Sequence, residues 1–130
     1  MRELAFLQKH FKIPREELLS QYDHSQGVME FKGNWSHLPF SMIIKGVQDV
    51  IITKDKAFVV GLEGGNKRCG GIGDIVAGVG SVCAYWDQEY GLPLACCIVK
   101  EATRLAFERE GRGVTAPNVI EYLSTAVKHL

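Results

Sequence analysis

Gly64-Gly65-Asn66-Lys67-Arg68-Cys69-Gly70-Gly71-Ile72-Gly73-Asp74 is the stretch from which the rest of the chain can be read. Eight of the chain's 14 glycines fall between Gly61 and Gly80. Glycine admits positive φ and lets another group come close to the main chain. Asp74 closes the run, and the apolar residues Ile75-Val76-Ala77-Gly78-Val79 follow at once, as at the start of a helix. The exposed N–H groups of a helix start form a ready anion site. A carboxylate there would repel a phosphate, so it suits a base acting on a substrate, or a partner for a metal bridging to the phosphate. The plainer reading is a surface loop with a helix cap, because the helix dipole favours Asp in a first turn whatever the function.

Outward from this loop, the composition bounds the answer. The chain has 130 residues, the size of one domain, and a 46% apolar share ordinary for a chain that builds a core. Basic and acidic residues balance at 15 each, which gives no sign of a polyanion-binding surface, so nucleic acid is not expected as a main partner. No apolar run approaches the roughly 20 residues that span a bilayer, so no membrane role is expected. The N-terminal Met1-Arg2-Glu3-Leu4-Ala5-Phe6 has neither a secretory signal core nor the acid-poor character of a transit peptide. The cytoplasm is the default compartment, with mitochondria as the alternative. Cys69, Cys83, Cys96 and Cys97 show no C-x-x-C spacing and read as reduced thiols, Cys96 and Cys97 in a core.

Upstream lies the β region. Ser41 to Ile44, Val50 to Thr53 and Ala57 to Val60 read as short strands, the last two joined by a turn at Lys54-Asp55-Lys56. Lys45-Gly46-Val47-Gln48-Asp49 forms the connection between the first two strands, and Lys45 and Asp49 read there as turn polars. Further back, Leu4, Leu7 and Phe11 share a helical face, and Pro14 opens a second short helix. Residues 22–38 carry no sustained period. His24 and His37 lie there without metal-ligand spacing and read as solvated.

Downstream, three helices are expected. The first carries Ile75, Val76, Val79, Val82, Cys83 and Trp86 at spacings of three and four; its small residues Gly78 and Gly80 suit close approach by a backbone or ligand. Leu92 to Glu110 forms the second, with Ala95, Ile98, Val99, Ala102, Leu105 and Ala106 buried and Lys100, Glu101, Arg104, Glu108 and Arg109 mostly on a solvated face. Thr115 caps the third, whose buried face is Val119, Ile120, Leu123 and Val127.

Lys67-Arg68-Cys69-Gly70-Gly71-Ile72-Gly73-Asp74 resembles the R-C-G-G-x-G-D signature of eukaryotic ATP-dependent NAD(P)H-hydrate dehydratases, repair enzymes of the ribokinase-like superfamily. Lys45-Gly46-Val47-Gln48-Asp49 is similar to that family's K-G-x-x-D element, and Glu110-Gly111-Arg112-Gly113-Val114-Thr115-Ala116 to the turn before its last helix. The resemblance covers about residues 41–130. It implies an α/β fold, the C-terminal part of a ribokinase-like three-layer domain, with a strand hairpin, the glycine loop and three helices. The family's domain is longer, so the resemblance implies a single domain truncated at its N-terminus, without the first strands and the P-N-x-x-E-F element; Val28 to Lys32 would be a remnant of a helix preceding the K-G-x-x-D strand.

The same resemblance implies an activity: ATP phosphorylates the hydroxyl of hydrated NADH or NADPH, and loss of phosphate restores the dinucleotide. It implies ATP contacts along Lys45, Gly46, Val47, Gln48 and Asp49 and along Gly64, Gly65, Asn66, Lys67, Arg68, Cys69, Gly70, Gly71, Ile72 and Gly73. Asp74 would touch the hydrate and serve as base through its placement, since a carboxylate is a weak base. Mg²⁺ would ride on the phosphates, with no dedicated protein ligands. Two alternatives stand beside this: a non-catalytic remnant that binds a nucleotide or a partner subunit, including a second copy through an exposed sheet edge, and another ribokinase-like small-molecule kinase.

Overall fold

The computed structural model describes residues 2–62, 64 and 70–130, and the chain divides into two compact units, Met1–Gly61 and Leu62–Leu130. The first unit holds helices α1 (Arg2–His10) and α2 (Arg15–Gln21) and strands β1 (Val28–Lys32), β2 (Met42–Ile44), β3 (Asp49–Ile52) and β4 (Lys56–Val60). The strands form one sheet in the order β1-β4-β3-β2, every neighbouring pair antiparallel. The expected hairpin is present. Thr53 holds its turn: its N–H and its hydroxyl both donate to the Lys56 carbonyl, at 2.8 and 2.9 Å.

β-branched and aromatic residues fill β3 and β4 because both faces of these strands are out of water. On one face Val50, Ile52, Ala57 and Val59 meet Leu18 from α2, together with Tyr22, Leu38 and Ile44. The opposite positions, Ile51, Phe58 and Val60, are buried as well. Burial pushes the Tyr22 hydroxyl above its ordinary pKa, with the neighbouring Asp23 adding to the effect, and that hydroxyl donates to the Gln26 carbonyl at 2.5 Å.

One expectation is overturned here. Val28 to Lys32 is no helix remnant but the edge strand β1, paired with β4 from Val28↔Val60 to Lys32↔Lys56. Met29 and Phe31 lean on the core while Val28, Glu30 and Lys32 stay outside, a period of two that only a strand satisfies. Glu30 also lies 3.4 Å from Lys56, and such charge blunts an edge against pairing with another chain.

The second unit is helical: α3 (Ile72–Trp86), α4 (Gly91–Glu110), a 3₁₀ turn (Gly111–Gly113), α5 (Ala116–Glu121) and α6 (Leu123–His129). α4 is its centre, with Ala95, Cys96, Ile98, Val99, Ala102 and Ala106 buried. A side chain at Gly91 would run into the Cys83 carbonyl, so glycine lets α4 start tight against the end of α3. The expected third helix is two. Thr115 opens α5, its N–H donating to Asn118 Oδ1 at 2.8 Å, and the helix breaks at Tyr122 before α6 begins. Lys100, expected mostly outside the α4 stripe, is buried. Among the described residues no helix is long and apolar enough to cross a membrane.

Candidate functional site

Helix α3 begins at Ile72, three residues before the expected start at Ile75, and Asp74 lies inside its first turn rather than ahead of it. Gly71 is the N-cap, in the left-handed region at φ 93°. An L-residue is strained there, and a Cβ would also come within 3.0 Å of the Ala116 Cβ. The first helical bond runs from the Ile75 N–H to the Gly71 carbonyl at 3.1 Å. The amides of Ile72, Gly73 and Asp74 therefore precede any possible i−4 partner within α3 and point outward from the helix start. Added side chains at Gly70 or Gly73 would meet open space, and Asp74 is exposed. The result is a bare main-chain ledge with one carboxylate beside it.

This ledge opens onto a groove of about 840 Å³ walled by α3, α5 and α6. Gly71 and Asp74 line one part of it, and Val79, Val82, Trp86, Ile120 and Val127 line the rest. Trp86 is 77% exposed, Ile120 54% and Val127 55%. The expectation that Ile120 and Val127 sit in a buried face is thereby corrected: they keep the helical period but front the groove. Gly78 also lines it and meets nothing within 4 Å, so the smallness of this residue widens the groove rather than admitting a neighbouring backbone. Cys83 lies at the groove's inner wall, where burial pushes its thiol pKa up and away from reactivity.

The second expected segment lies in the other unit. Lys45 Nζ sits 2.9 Å from Asp49 Oδ2, and the Gly46 N–H donates to Asp49 Oδ1 at 3.1 Å. Asp49 is fully buried, so it is the organiser of this turn rather than a group reaching into solvent; Val47, at the tip, is 79% exposed. Arg15 of α2 borders the same turn: its Nη2 is 3.6 Å from the point a Cβ on Gly46 would occupy. Sequence reasoning missed Arg15, because nothing local ties a residue of α2 to a turn thirty residues on.

Of the expected ATP loop, Gly64, Gly70, Gly71, Ile72 and Gly73 are described, whereas Gly65, Asn66, Lys67, Arg68 and Cys69 lie outside the described residues. His37, expected to be merely solvated, uses its Nε2 against the Lys12 carbonyl at 2.8 Å. Among the described residues no three His, Cys, Asp or Glu side chains converge as a metal cage. A single exposed carboxylate at the helix start does fit a magnesium ion held mainly by phosphate oxygens.

Fold and site together define a mixed α/β chain, an antiparallel sheet followed by helices, with a glycine-capped helix start suited to an anion. Three curated proteins similar to it share one description. It is 30% identical over 121 residues to the ATP-dependent (S)-NAD(P)H-hydrate dehydratase of Rattus norvegicus, covering 83% of this chain and 35% of that protein. The proteins of the same description from Mus musculus and Danio rerio are 32% identical over 103 residues and 26% over 133, covering 69% and 92% of this chain and 30% and 40% of theirs. The chain is thus a distant homologue of ATP-dependent (S)-NAD(P)H-hydrate dehydratases, and it spans about a third of the length of the curated relatives it matches. No protein-family model matches it.

Proposed function

We propose that this chain serves the ATP-dependent dehydration of (S)-hydrated NADH and NADPH, as the ATP-binding portion of a single ribokinase-like domain. The observation that carries the reading is the glycine-capped start of α3, with Asp74 exposed beside its outward amides, in a chain homologous to enzymes named for that reaction. The outward amides at the start of α3 receive phosphate oxygens, and the likeness of Lys45–Asp49 to the family's K-G-x-x-D element supports that segment as an ATP contact. Asp74 accepts the proton of the hydrate's hydroxyl. That oxygen attacks the terminal phosphorus of ATP, and ADP leaves with the electrons of the broken P–O bond. The C–O bond then breaks, phosphate departs with its electron pair, and loss of a proton restores the dinucleotide ring. Magnesium, when bound, offsets the negative charge of the phosphoryl oxygens.

The test is return of NADH absorbance when the purified full chain receives hydrated NADH, ATP and Mg²⁺, beside an Asp74→Ala variant. Return by the wild type and a loss of about a hundredfold or more in the variant is the expected result. ATP binding without turnover would favour the non-catalytic nucleotide-binding reading. No ATP binding by the folded chain would sink both.

A further inference from the structure

We propose that Arg15, on α2, is a phosphate-binding residue of the Lys45–Asp49 turn. The inference rests on the reading of that turn as a nucleotide contact and adds to it a residue from the N-terminal helices, distant in sequence from both glycine-bearing segments.

Four observations lead to it. The Arg15 guanidinium lies against the glycine of the turn, with Nη2 3.6 Å from the position of a Gly46 Cβ. Its Nε is withdrawn from solvent and has no hydrogen-bond partner among the described residues. Its ion pair is long and weak: Nη1 stands 3.6 Å from an oxygen of Glu16, whose side chain is 75% exposed. The acid of the turn, Asp49, is held by Lys45 Nζ at one oxygen and by the Gly46 N–H at the other.

A guanidinium held this way is costly without an acceptor, since a withdrawn donor with no partner loses its hydration for nothing. Its planar fork matches the paired oxygens of a phosphate. The side chain remains 23% exposed. A Cβ at Gly46 would press on the Gln48 carbonyl at 3.0 Å and would reach ordinary contact with the guanidinium. Arg15 and Lys45 then border one glycine with two cations, against a single buried carboxylate.

The experiment is calorimetric titration of the full chain with ATP and with inorganic tripolyphosphate, for wild type, Arg15→Gln and Arg15→Lys, with thermal midpoints recorded without ligand. Arg15→Gln is expected to weaken both ligands about tenfold and to flatten the salt dependence of binding, at an unchanged midpoint. Arg15→Lys, which keeps the charge and loses the fork, should fall between. Equal ATP affinity in wild type and Arg15→Gln overturns the assignment while leaving the nucleotide reading intact. Absence of ATP binding by the wild type overturns that reading and this inference with it. If Arg15→Gln does not fold, Arg15→Lys decides: several-fold weaker binding supports the assignment, and wild-type affinity overturns it.

Discussion

The two units handle apolar side chains in opposite ways. In the sheet unit the central strands spend every apolar residue on burial: Val50, Ile51, Ile52, Val59 and Val60 are all at 0% exposure. In the helical unit Val82, Trp86, Ile120 and Val127 keep strict helical spacing yet stand open along the groove. The polar groups invert the same way. Asp49 is sealed in its turn by Lys45 and Gly46, whereas Asp74 is exposed beside unfilled space. One acid fixes a backbone and the other is free to meet a ligand, although both sit at the ends of glycine-bearing segments that look alike in sequence.

The largest expected effect breaks the comparison at its carboxylates. Asp74→Ala should reduce ATP-dependent recovery of NADH by about a hundredfold or more, with the thermal midpoint almost unmoved; steady-state rates and a melting curve check this together. Next come the apolar residues. Ile52→Ala should cost about 2–5 kcal/mol in denaturant unfolding, whereas Ile120→Ala, on the groove wall, should stay within about 0.5 kcal/mol. Equal costs would mean the groove is as filled as the sheet core.

A smaller effect belongs to Gly71→Ala. It forces an L-residue to φ 93° and sets its Cβ against Ala116, so about 1–3 kcal/mol of stability should be lost, again read by denaturant unfolding. The smallest sharpens the helical unit's own tether. Arg104 bonds Glu101 at 2.5 Å and His129 bonds it at 3.1 Å; these partners, Arg104 above all, hold the Glu101 carboxyl down to about 2 from 4.5. A carboxyl depressed on folding stabilises the fold above its unfolded pKa and loses that contribution as pH falls through its folded pKa. Stability should therefore drop between about pH 4.5 and 2 in the wild type by more than in Glu101→Gln, as thermal midpoints across that range would show.

Much of the first unit was legible because its signals are local. β-branched runs bounded by Lys45–Asp49 and Lys54-Asp55-Lys56 could only be strands. β1 was not, since five residues between glycines, with Glu30 and Lys32 facing out, give too short an alternation to stand against an expected helix. In the second unit the helices were legible but their exposure was not: spacing says which residues share a face, never what covers that face. Neither glycine nor proline marks the break at Tyr122, so α5 and α6 read as one helix. Asp74 was legible as a candidate from chemistry alone, whereas Arg15 is a candidate only through tertiary approach.

The most direct measurement is amide hydrogen exchange of the full chain with and without ATP and Mg²⁺. Slowed exchange is expected at Ile72, Gly73 and Asp74 and along Lys45–Asp49, with the amides of β4 unchanged. Undiminished exchange at the start of α3 in the presence of saturating ATP would contradict the ATP-binding reading.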